Sequence, residues 1–407
     1  MFLFVLISTF NVSSHGVVSS IEDQVDSNRK INFPNTKNYF VIISDLHTHS
    51  AFSDGHVWPN LRVAEASRDG IDLLAITEHL EYQPHKSDIP HPDRNRAFDI
   101  AFEAAKKSNV LVINGSEITR EFPPGHINAV FIKDANKMIN IDRSKQSEAD
   151  DFISQLPIEL IEEHLNDPWF KDGILAALWP IEETLNEAKN QDAFVFWNHP
   201  AWSSEKESSD KVLHKIHSDL IKKKLIHGIE VVNGKWFSKE AFQIAIDYDL
   251  TIMGTSDVHG LIDWDYLQVP NGHRSVTLIL TKEVTEESIK DALFEGRTVV
   301  WYKNELIGRE ENVLELVNSC LSIKNTSYKG KTSVLLVEIE NISDVEFLLQ
   351  VNDGKSIEDN SSIFKVLPNS ITSIEIGNSP SKRLKLGLNI LNAHIAPNKH
   401  PKIVISY

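Results

Sequence analysis

Short apolar segments alternate with amphipathic segments along the first three quarters of the chain. The apolar segments are nearly continuous, as expected for strands that are buried on both faces of a parallel sheet. We predict seven such strands, at residues 39–43, 71–77, 110–115, 127–132, 193–198, 228–233 and 250–256. The amphipathic segments predict helices at residues 59–69, 96–108, 149–165, 181–190, 210–224 and 238–248. Repeated strand–helix units in one core indicate an α/β fold class and favour a closed βα barrel.

The pattern changes at about Asn304. A strand at 275–281 and a helix at 285–297 complete the first region, and the later segments alternate apolar and polar residues between turn signals. This alternation predicts a small all-β sandwich. We therefore divide the chain into a signal peptide or linker at 1–37, a barrel domain at 38–305 and a β domain at 306–407. A single core stops growing near about 300 residues, so two domains suit the length of 407 residues.

The N-terminus opens with MFLFVLISTF, an apolar run of the length of a signal-peptide core and too short to span a bilayer. Residues 18–20 are small or polar, where a signal peptidase could cut, but the first basic residue is Arg29, so the usual basic start is missing. We expect an exported protein, periplasmic or secreted, and a cytoplasmic one if this run is not a working signal. No transmembrane span is expected in the mature chain.

Composition narrows the classes of function. The formal net charge of −17 disfavours long nucleic acid and anionic membranes as partners and leaves small substrates open. Cys320 is the single cysteine, which excludes an intrachain disulfide and a cysteine-built metal site. Any metal must therefore be held by histidine and carboxylate side chains.

Such side chains recur where the predicted strands end. His47 and His49 end the first strand within SDLHTHSAFSDGH, and residues i and i+2 of a strand point to the same face. The further candidates are Asp54, His79, Glu117, His126, His199, Asp257 and His259. Each of them alone could be an ordinary core, turn or surface residue. Because the carboxyl ends of barrel strands share one face, their joint pattern predicts a convergent metal site.

Neighbouring polar residues receive other interpretations. We expect Asp45 and Glu78 to orient an imidazole from behind the ligands. Four histidines beside helix-like, charged segments are expected to be solvated, namely His164, His214, His217 and His227.

At the candidate ligands the sequence resembles the PHP (polymerase and histidinol phosphatase) family. The matching segments are DLHTHSAFSDG, GIDLLAITEH, GSEIT with GHINAVF, NHP and SDVHG, and the resemblance covers about residues 38–305. It implies a distorted seven-stranded (β/α)7 barrel with a cluster of two or three metal ions. The chain after 305 resembles the small β domains that are appended to some bacterial members.

The resemblance also implies which residues share an ion. The first metal would take His47, His49, Glu117 and Asp257; the second, Asp54, His79 and His259; the third, His126 and His199, with Glu117 bridging. This mixture of imidazole and carboxylate suits Zn²⁺, Mn²⁺ or Fe²⁺.

The expected activity is hydrolysis of a phosphate ester by a metal-activated hydroxide at this di- or trinuclear site. The substrate would be a small phosphorylated metabolite or a nucleotide. His126 and His259 are the catalytic candidates, since a protonated histidine, or another metal, would assist the leaving alkoxide. Arg120 and Lys235 are the candidate substrate-binding cations, because they lie in loops at strand ends.

Three alternatives stay open. The first is a phosphodiesterase or exonuclease acting on short oligonucleotides; the charge and the lack of a basic, aromatic-rich stretch argue against longer nucleic acid. The second is an amidohydrolase-like metal hydrolase, which would usually place a lysine mid-barrel where this sequence has Glu117. The third is a non-catalytic binding barrel, which the presence of all nine candidate ligands disfavours.

Overall fold

The structure is a computed structural model. It describes residues 30–407 except 90, 121, 157, 159–160, 163–164, 168, 201–211, 267–271, 353–361 and 378–383. The predicted signal-peptide core and cleavage region lie outside the described residues. Among the helices of the described ranges, none is both long enough and apolar enough to cross a membrane.

The first part of the chain alternates strands and helices. Its elements are β1 (Phe40–Asp45), α1 (Pro59–Asp69), β2 (Leu73–Ile76), α2 (Arg96–Ala105), β3 (Leu111–Ile118), β4 (Ile127–Val130), α3 (Gln146–Ile153), α4 (Phe170–Ala177), α5 (Ile181–Asn190), β5 (Phe194–Trp197), α6 (Lys215–Lys222), β6 (Gly228–Asn233), β7 (Trp236–Phe237), α7 (Lys239–Asp247), β8 (Thr251–Thr255), α8 (Ile262–Tyr266), β9 (Val276–Thr281), α9 (Glu286–Phe294), β10 (Thr298–Tyr302), β11 (Glu305–Gly308) and α10 (Glu310–Cys320).

The remainder consists of strands. They are β12 (Leu321–Tyr328), β13 (Leu335–Asn341), β14 (Phe347–Val351), β15 (Ile363–Val366), β16 (Ser370–Ile376), β17 (Lys385–Ile390), β18 (Ala393–His394) and β19 (Lys402–Ser406).

Local sequence explains where several helices begin and end. Pro59 starts α1, where its missing N–H would have had no helical partner, and Gly70 ends it with a left-handed φ of 76°. The Ser238 side chain accepts a hydrogen bond from the backbone N–H of Ala241 and so caps α7. These signals stand in the sequence, which is why the helix boundaries there match the prediction closely.

One curled sheet of 12 strands organises the first part. Its order is β18-β11-β10-β9-β1-β2-β3-β4-β5-β6-β7, and β8 pairs with β6. The ends of β1 and β8 meet, because the N–H of Asp257 donates to the carbonyl of His47 over 2.9 Å and the N–H of His49 donates to the carbonyl of Val258 over 3.1 Å. The predicted α/β class is confirmed, but the sheet holds more strands than the seven that we predicted.

Strand β4 departs from the predicted parallel arrangement. It runs antiparallel to both β3 and β5. Residues 119–126 alone connect β3 to β4, and a parallel crossover needs a dozen or more residues, so the chain must reverse. The residue before β4, His126, therefore lies at the edge where β3 ends.

Besides the five-residue α8, two helices were missing from the prediction. In the predicted all-β tail, α10 carries buried apolar residues at positions i, i+3, i+4 and i+7, starting at Val313, which is a helical signal that we overlooked. The other is α4, whose sequence FKDGILAA contains an interior glycine that weakens the helical pattern. The predicted helix at 149–165 begins within α3, which ends at Ile153, and residues 158, 161 and 162 are helical again.

The last part is an all-β domain, as predicted. Its sheets have the orders β12-β13-β16 and β15-β14-β17-β19. Strand β13 alternates buried and half-buried residues along its length, so one face packs on the opposite sheet. This domain is joined to the first part in two ways. Strand β18 pairs in parallel with β11. One continuous apolar core also contains Val299 and Leu316 of the first part together with Phe347 of the β domain.

Candidate metal centre

The structure brings all nine predicted ligands together beyond the carboxyl ends of the central strands. Nitrogen–oxygen distances of 2.7 to 3.8 Å connect every one of them to another member. The members are His47, His49, Asp54, His79, Glu117, His126, His199, Asp257 and His259. We call this set the nine-residue cluster.

A first group within the cluster consists of His47, His49 and Asp257. The two imidazole Nε2 atoms lie 3.1 Å apart, and each lies 3.2 Å from Oδ1 of Asp257. Within the described residues, that buried oxygen accepts no hydrogen bond. Glu117 approaches the same two nitrogens at 3.3 and 3.4 Å. The group thus contains three of the four residues that the resemblance implied for a first ion, and the fourth, Glu117, lies beside both of its imidazoles.

A second group consists of His49, Asp54, His79 and His259. The Asp54 carboxylate lies 3.4 Å from Nε2 of His79 and 3.2 Å from Nε2 of His259. His49 also reaches it, with Nδ1 3.8 Å from Oδ1 of Asp54. The imidazole of His49 thus faces two groups, although the resemblance implied it for the first alone.

A third group surrounds Glu117, which is 1% exposed. Its carboxylate lies 2.7 Å from His79, 3.1 Å from His126 and 3.3 Å from His199. The geometry that suits an ion is formed by His79, Glu117 and His126. His199 contacts Glu117 but is not part of that trio, whereas the resemblance implied His199 and not His79.

Burial and charge act against each other in the cluster. Burial by itself would raise the pKa of the Glu117 and Asp257 carboxyls, but the surrounding imidazoles, His47 among them, hold both well below their usual range. Burial would lower the pKa of His79, but Glu117 and Asp54 raise it to about 10. The carboxylates are therefore anionic at neutral pH, as metal ligands must be.

The spacing of these atoms fits divalent ions. Two ligand atoms about 2.05 Å from one ion at a tetrahedral angle lie about 3.3 Å apart. The nitrogen–nitrogen and nitrogen–oxygen pairs of the first group are separated by 3.1 to 3.4 Å. In addition, Oδ1 of Asp54, Oε2 of Glu117 and Oδ1 of Asp257 are buried and accept no hydrogen bond from the described part of the chain. Such oxygens lack a partner that a cation would supply.

Two cluster residues hold an unfavourable backbone conformation. His199 has a φ of 25° and Asp257 a φ of 48°, in the left-handed region that favours glycine. Non-glycine residues held in such regions cost about 1 to 3 kcal/mol and concentrate at functional sites. Here the conformation points both side chains into the cluster.

Sequence reasoning missed Glu230, which supports the cluster from behind. This fully buried carboxylate lies 2.8 Å from Nδ1 of His47, and it accepts hydrogen bonds from Oγ1 of Thr255 over 2.6 Å and from the backbone N–H of His199 over 2.8 Å. A usable signal was present, because Glu230 is the charged residue inside the otherwise apolar strand GIEVVN. An unexplained charge in a buried strand indicates a polar partner.

Glu78 and Asp45 were expected to orient imidazoles. Glu78 accepts a hydrogen bond from the hydroxyl of Ser53, which in turn lies 3.3 Å from Nδ1 of His49, so its influence is indirect. The carboxylate of Asp45 is bound instead by Arg274, 3.1 Å away. For Asp45 the expectation was wrong, since its side chain faces a buried guanidinium.

The candidate substrate cations each have a carboxylate partner. Arg120 is buried and pairs with Glu81, while half-exposed Lys235 lies 3.1 Å from Oδ1 of Asp265. A role in substrate binding would require either side chain to exchange that partner. For these two residues the role stays a prediction.

His217 is not solvated, contrary to expectation. Its ring is fully buried, stacks on Trp197 with centroids 3.9 Å apart, and lies with Nε2 2.8 Å from the carbonyl of Pro124. The helix α6 that carries it turns this residue toward the sheet, and burial lowers its pKa to about 4. His164 lies outside the described residues.

A cavity of about 780 Å³ adjoins the cluster. His126, Asn198 and His199 line one end of it. We call it the aromatic pocket, because its walls include Tyr82, Phe122, Phe152, Trp169, Phe170 and Trp179. Helices α3 and α4, which lie between β4 and β5 in the chain, contribute two of these rings, Phe152 and Phe170.

Fold and cluster together define a metal-binding α/β protein with a C-terminal Ig-like domain. A family model described as the PHP domain matches residues 45–167, and one described as an Ig-like domain matches residues 321–406. Among curated proteins, none matches this chain.

One solved structure identifies the family of this chain. A two-domain protein from Bacteroides vulgatus ATCC 8482, which contains a predicted PHP-like metal-dependent phosphoesterase, is 33% identical over 93% of this chain and 98% of its own, with a TM-score of 0.76. The chain therefore belongs to the PHP-like metal-dependent phosphoesterase family.

Two further structures are more distant. A candidate metal-dependent phosphoesterase from Bifidobacterium adolescentis ATCC 15703 is 18% identical over 62% of this chain and 96% of its own, with a TM-score of 0.37. An amidohydrolase from Chromobacterium violaceum is 16% identical over 57% of this chain and 90% of its own, with a TM-score of 0.38.

Proposed function

We propose that this protein hydrolyses phosphate esters of small molecules at a site of two or three divalent metal ions. The observation that carries the proposal is the spacing of lone-pair atoms in the cluster, where imidazole nitrogens and carboxylate oxygens face one another at 3.1 to 3.4 Å. Zn²⁺, Mn²⁺ and Fe²⁺ all suit this mixture of ligands. Membership of the family supports the same activity.

We assign the ligands to ions by the three groups. His47, His49 and Asp257 would hold the first ion, and Asp54, His79 and His259 the second, so that His49 and His79, which each face two groups, are each assigned to one ion. Around a third position stand Glu117 and His126, with His199 in contact with Glu117. Because Glu117 touches members of both other groups, we propose that it bridges ions.

Each part of the site has a role in this proposal. Bound divalent ions acidify water and offset the negative charge on phosphoryl oxygens. His259 and His126 have the most exposed side chains of the six imidazoles, 35% and 18%, so they face the space where a leaving group would depart. We propose that one of these two residues delivers the proton to the leaving oxygen where it does not itself hold an ion, because an imidazole that binds a metal cannot also be the protonated acid. Arg120, which lines the aromatic pocket, and Lys235 are proposed contacts for the substrate.

Domain limits and location belong to the same proposal. Limits of 38–305 and 306–407 contain both matched family models, at 45–167 and 321–406. Export would be directed by the apolar run within residues 1–37.

The test joins metal content with activity. We would measure bound metals by mass spectrometry, and phosphate release from a panel of monoesters and diesters, for the wild type and for Glu117→Gln. Two or more metals per chain, with release lost in Glu117→Gln, would support the proposal. The matched control is Glu103→Gln, since this exposed residue lies on α2 and pairs with surface Lys106.

Other outcomes would separate the alternatives. Release from dinucleotides but not from monoesters would favour the diesterase. Turnover of amide or lactone substrates alone would favour an amidohydrolase-like enzyme. A wild type that stays metal-free and inactive after incubation with Mn²⁺, Zn²⁺ or Fe²⁺ would contradict the proposal and favour a non-catalytic binding barrel.

A further inference from the structure

The aromatic pocket and the nine-residue cluster are continuous. His126 and His199 belong to the cluster and also line the pocket, and Asn198 joins them by donating a hydrogen bond to Glu117 over 2.8 Å. A molecule whose phosphate lies at the cluster therefore has this cavity directly beside it. Helices α3 and α4 line the same pocket through Phe152 and Phe170.

The pocket walls are mostly apolar and carry little uncompensated charge. The lining residues of opposite charge, Glu81 and Arg120, are both buried and pair with each other. Among the described lining residues, Glu81 is the only carboxylate, and Arg120 is the only arginine or lysine. A polyol or polyanionic group placed here would lose water without gaining matching partners.

The rings of the pocket are arranged as in a packed core. Tyr82 and Trp169 meet edge to face with centroids 4.7 Å apart, and Trp169 meets Phe170 in the same way at 5.6 Å. The cavity that they border, about 780 Å³, lies in the range of pockets for ligands of drug size and far exceeds a phosphate group. Binding of an apolar group that displaces water from so large an apolar surface is favourable, because it removes that surface from contact with water.

From these observations we propose that the aromatic pocket binds a large apolar group, aromatic or polycyclic, and that this group is the alcohol portion of the phosphate ester. The second part of this statement rests on the proposed function. The first part does not, because the pocket is defined without reference to the metals. Among phosphate esters, the site then selects an apolar alcohol over a sugar or glycerol.

A matched pair of esters tests the selection. Ethyl phosphate and 2-(1-naphthyl)ethyl phosphate both release a primary alkoxide, so leaving-group reactivity differs little and the ring is the main variable. For the metal-loaded wild type we expect a kcat/KM at least about 100-fold higher for the naphthyl ester, from burial of its bicyclic aromatic group. Equal values for the two esters would overturn the selection while leaving phosphate-ester hydrolysis intact.

A variant that fills the pocket provides the second arm. Ala177 lines the pocket near the end of α4 but its own small side chain is exposed, so a larger residue can be accommodated without disturbing the core. Ala177→Trp should lower the selectivity ratio at least about 10-fold. The control is Lys171→Trp, which adds the same ring to an exposed position of the same helix, paired with Asp150 and outside the pocket lining.

Direct binding separates the two parts of the proposal. We expect 2-(1-naphthyl)ethanol to bind the metal-free wild type in a calorimetric titration, and to bind Ala177→Trp at least about 10-fold more weakly. Binding without hydrolysis of either ester would overturn the proposed function while supporting the apolar site. Absence of binding, with hydrolysis of both esters at the same rate, would overturn the apolar site.

Discussion

His47 and Glu230 form a buried pair in which Nδ1 of the imidazole lies 2.8 Å from Oε1 of the carboxylate, and both side chains are fully buried. A carboxylate at Nδ1 favours the proton on that nitrogen, so Nδ1–H donates to Glu230. Nε2 then directs its lone pair toward Asp257 and His49. This is the arrangement by which proteins hold a metal-ligating histidine in one tautomer and one orientation.

Changing the Glu230 carboxylate to an amide should weaken the binding of the first metal ion. Glu230→Gln keeps the size of the side chain but removes its charge, and loss of such a partner typically lowers metal affinity about 10- to 100-fold. Calorimetric titration of the metal-free protein with Zn²⁺ or Mn²⁺ measures the effect. Glu103→Gln should leave the affinity unchanged. An affinity of Glu230→Gln within twofold of the wild type would contradict a positioning role.

Removing metal should lower thermal stability. A ligand present at about 1,000 times its Kd stabilises the folded state by about 4 kcal/mol, and a domain of this size shifts by about 2 to 4 °C per kcal/mol. Chelation should therefore lower the melting temperature by several degrees, and added Mn²⁺ or Zn²⁺ should restore it in proportion to the logarithm of its concentration. In Asp257→Asn this response should be smaller. Equal melting temperatures for the wild type with and without chelator would argue against structural binding of metal.

Arg274 should prove to be a stability residue. It is 1% exposed and lies 3.1 Å from the carboxylate of Asp45 and 2.8 Å from that of Asp69. Arg274→Met leaves both buried carboxylates without this cation and should cost about 3 to 5 kcal/mol in urea unfolding. The comparison is Arg68→Met, because half-exposed Arg68 also pairs with Asp69 and should cost no more than about 1 kcal/mol. Similar losses for both variants would refute the distinction.

His217 should make the fold sensitive to acid. Burial lowers its folded-state pKa to about 4, while the unfolded chain titrates near 6.5. As pH falls from about 6.5 to about 4, the unfolded state binds a proton at this histidine that the folded state does not bind. The contribution of His217 to stability is therefore fully present above pH 6.5 and is lost across this window. At about 1.4 kcal/mol per pKa unit the loss is on the order of 3 kcal/mol.

His217→Gln should remove that part of the acid sensitivity. The amide stays neutral at all pH values and can still donate to the carbonyl of Pro124, which His217 reaches at 2.8 Å. The variant should be less stable at pH 7.5, because the stacking on Trp197 is lost. Urea unfolding between pH 7.5 and 4 should show the difference from the wild type shrinking as pH falls. A difference that is constant across this range would contradict a neutral buried imidazole.

Several features of the fold and site could be predicted because they depend on local pattern. Continuous apolar runs predicted the buried strands of the central sheet, since a strand covered on both faces cannot alternate. The motifs that hold the nine candidate ligands could be found because each stands next to a strand end. Missed elements such as α10 had a helical period that competed with the β-like segments around them.

Tertiary structure decided how these parts meet. The sharing of His49 between two groups, the place of His79 in the third and the support of His47 by Glu230 all join residues that lie far apart in the chain, 183 positions in the last case. The aromatic pocket likewise arises where residues of α3, α4 and the end of β5 line one cavity. The sequence by itself determined which apolar segments form the buried strands and which strand ends carry imidazoles and carboxylates, because hydrophobic period and residue type are local properties. Distances between the ligands and the shape of the pocket follow from strand direction, register and helix packing, which depend on contacts made by the whole chain.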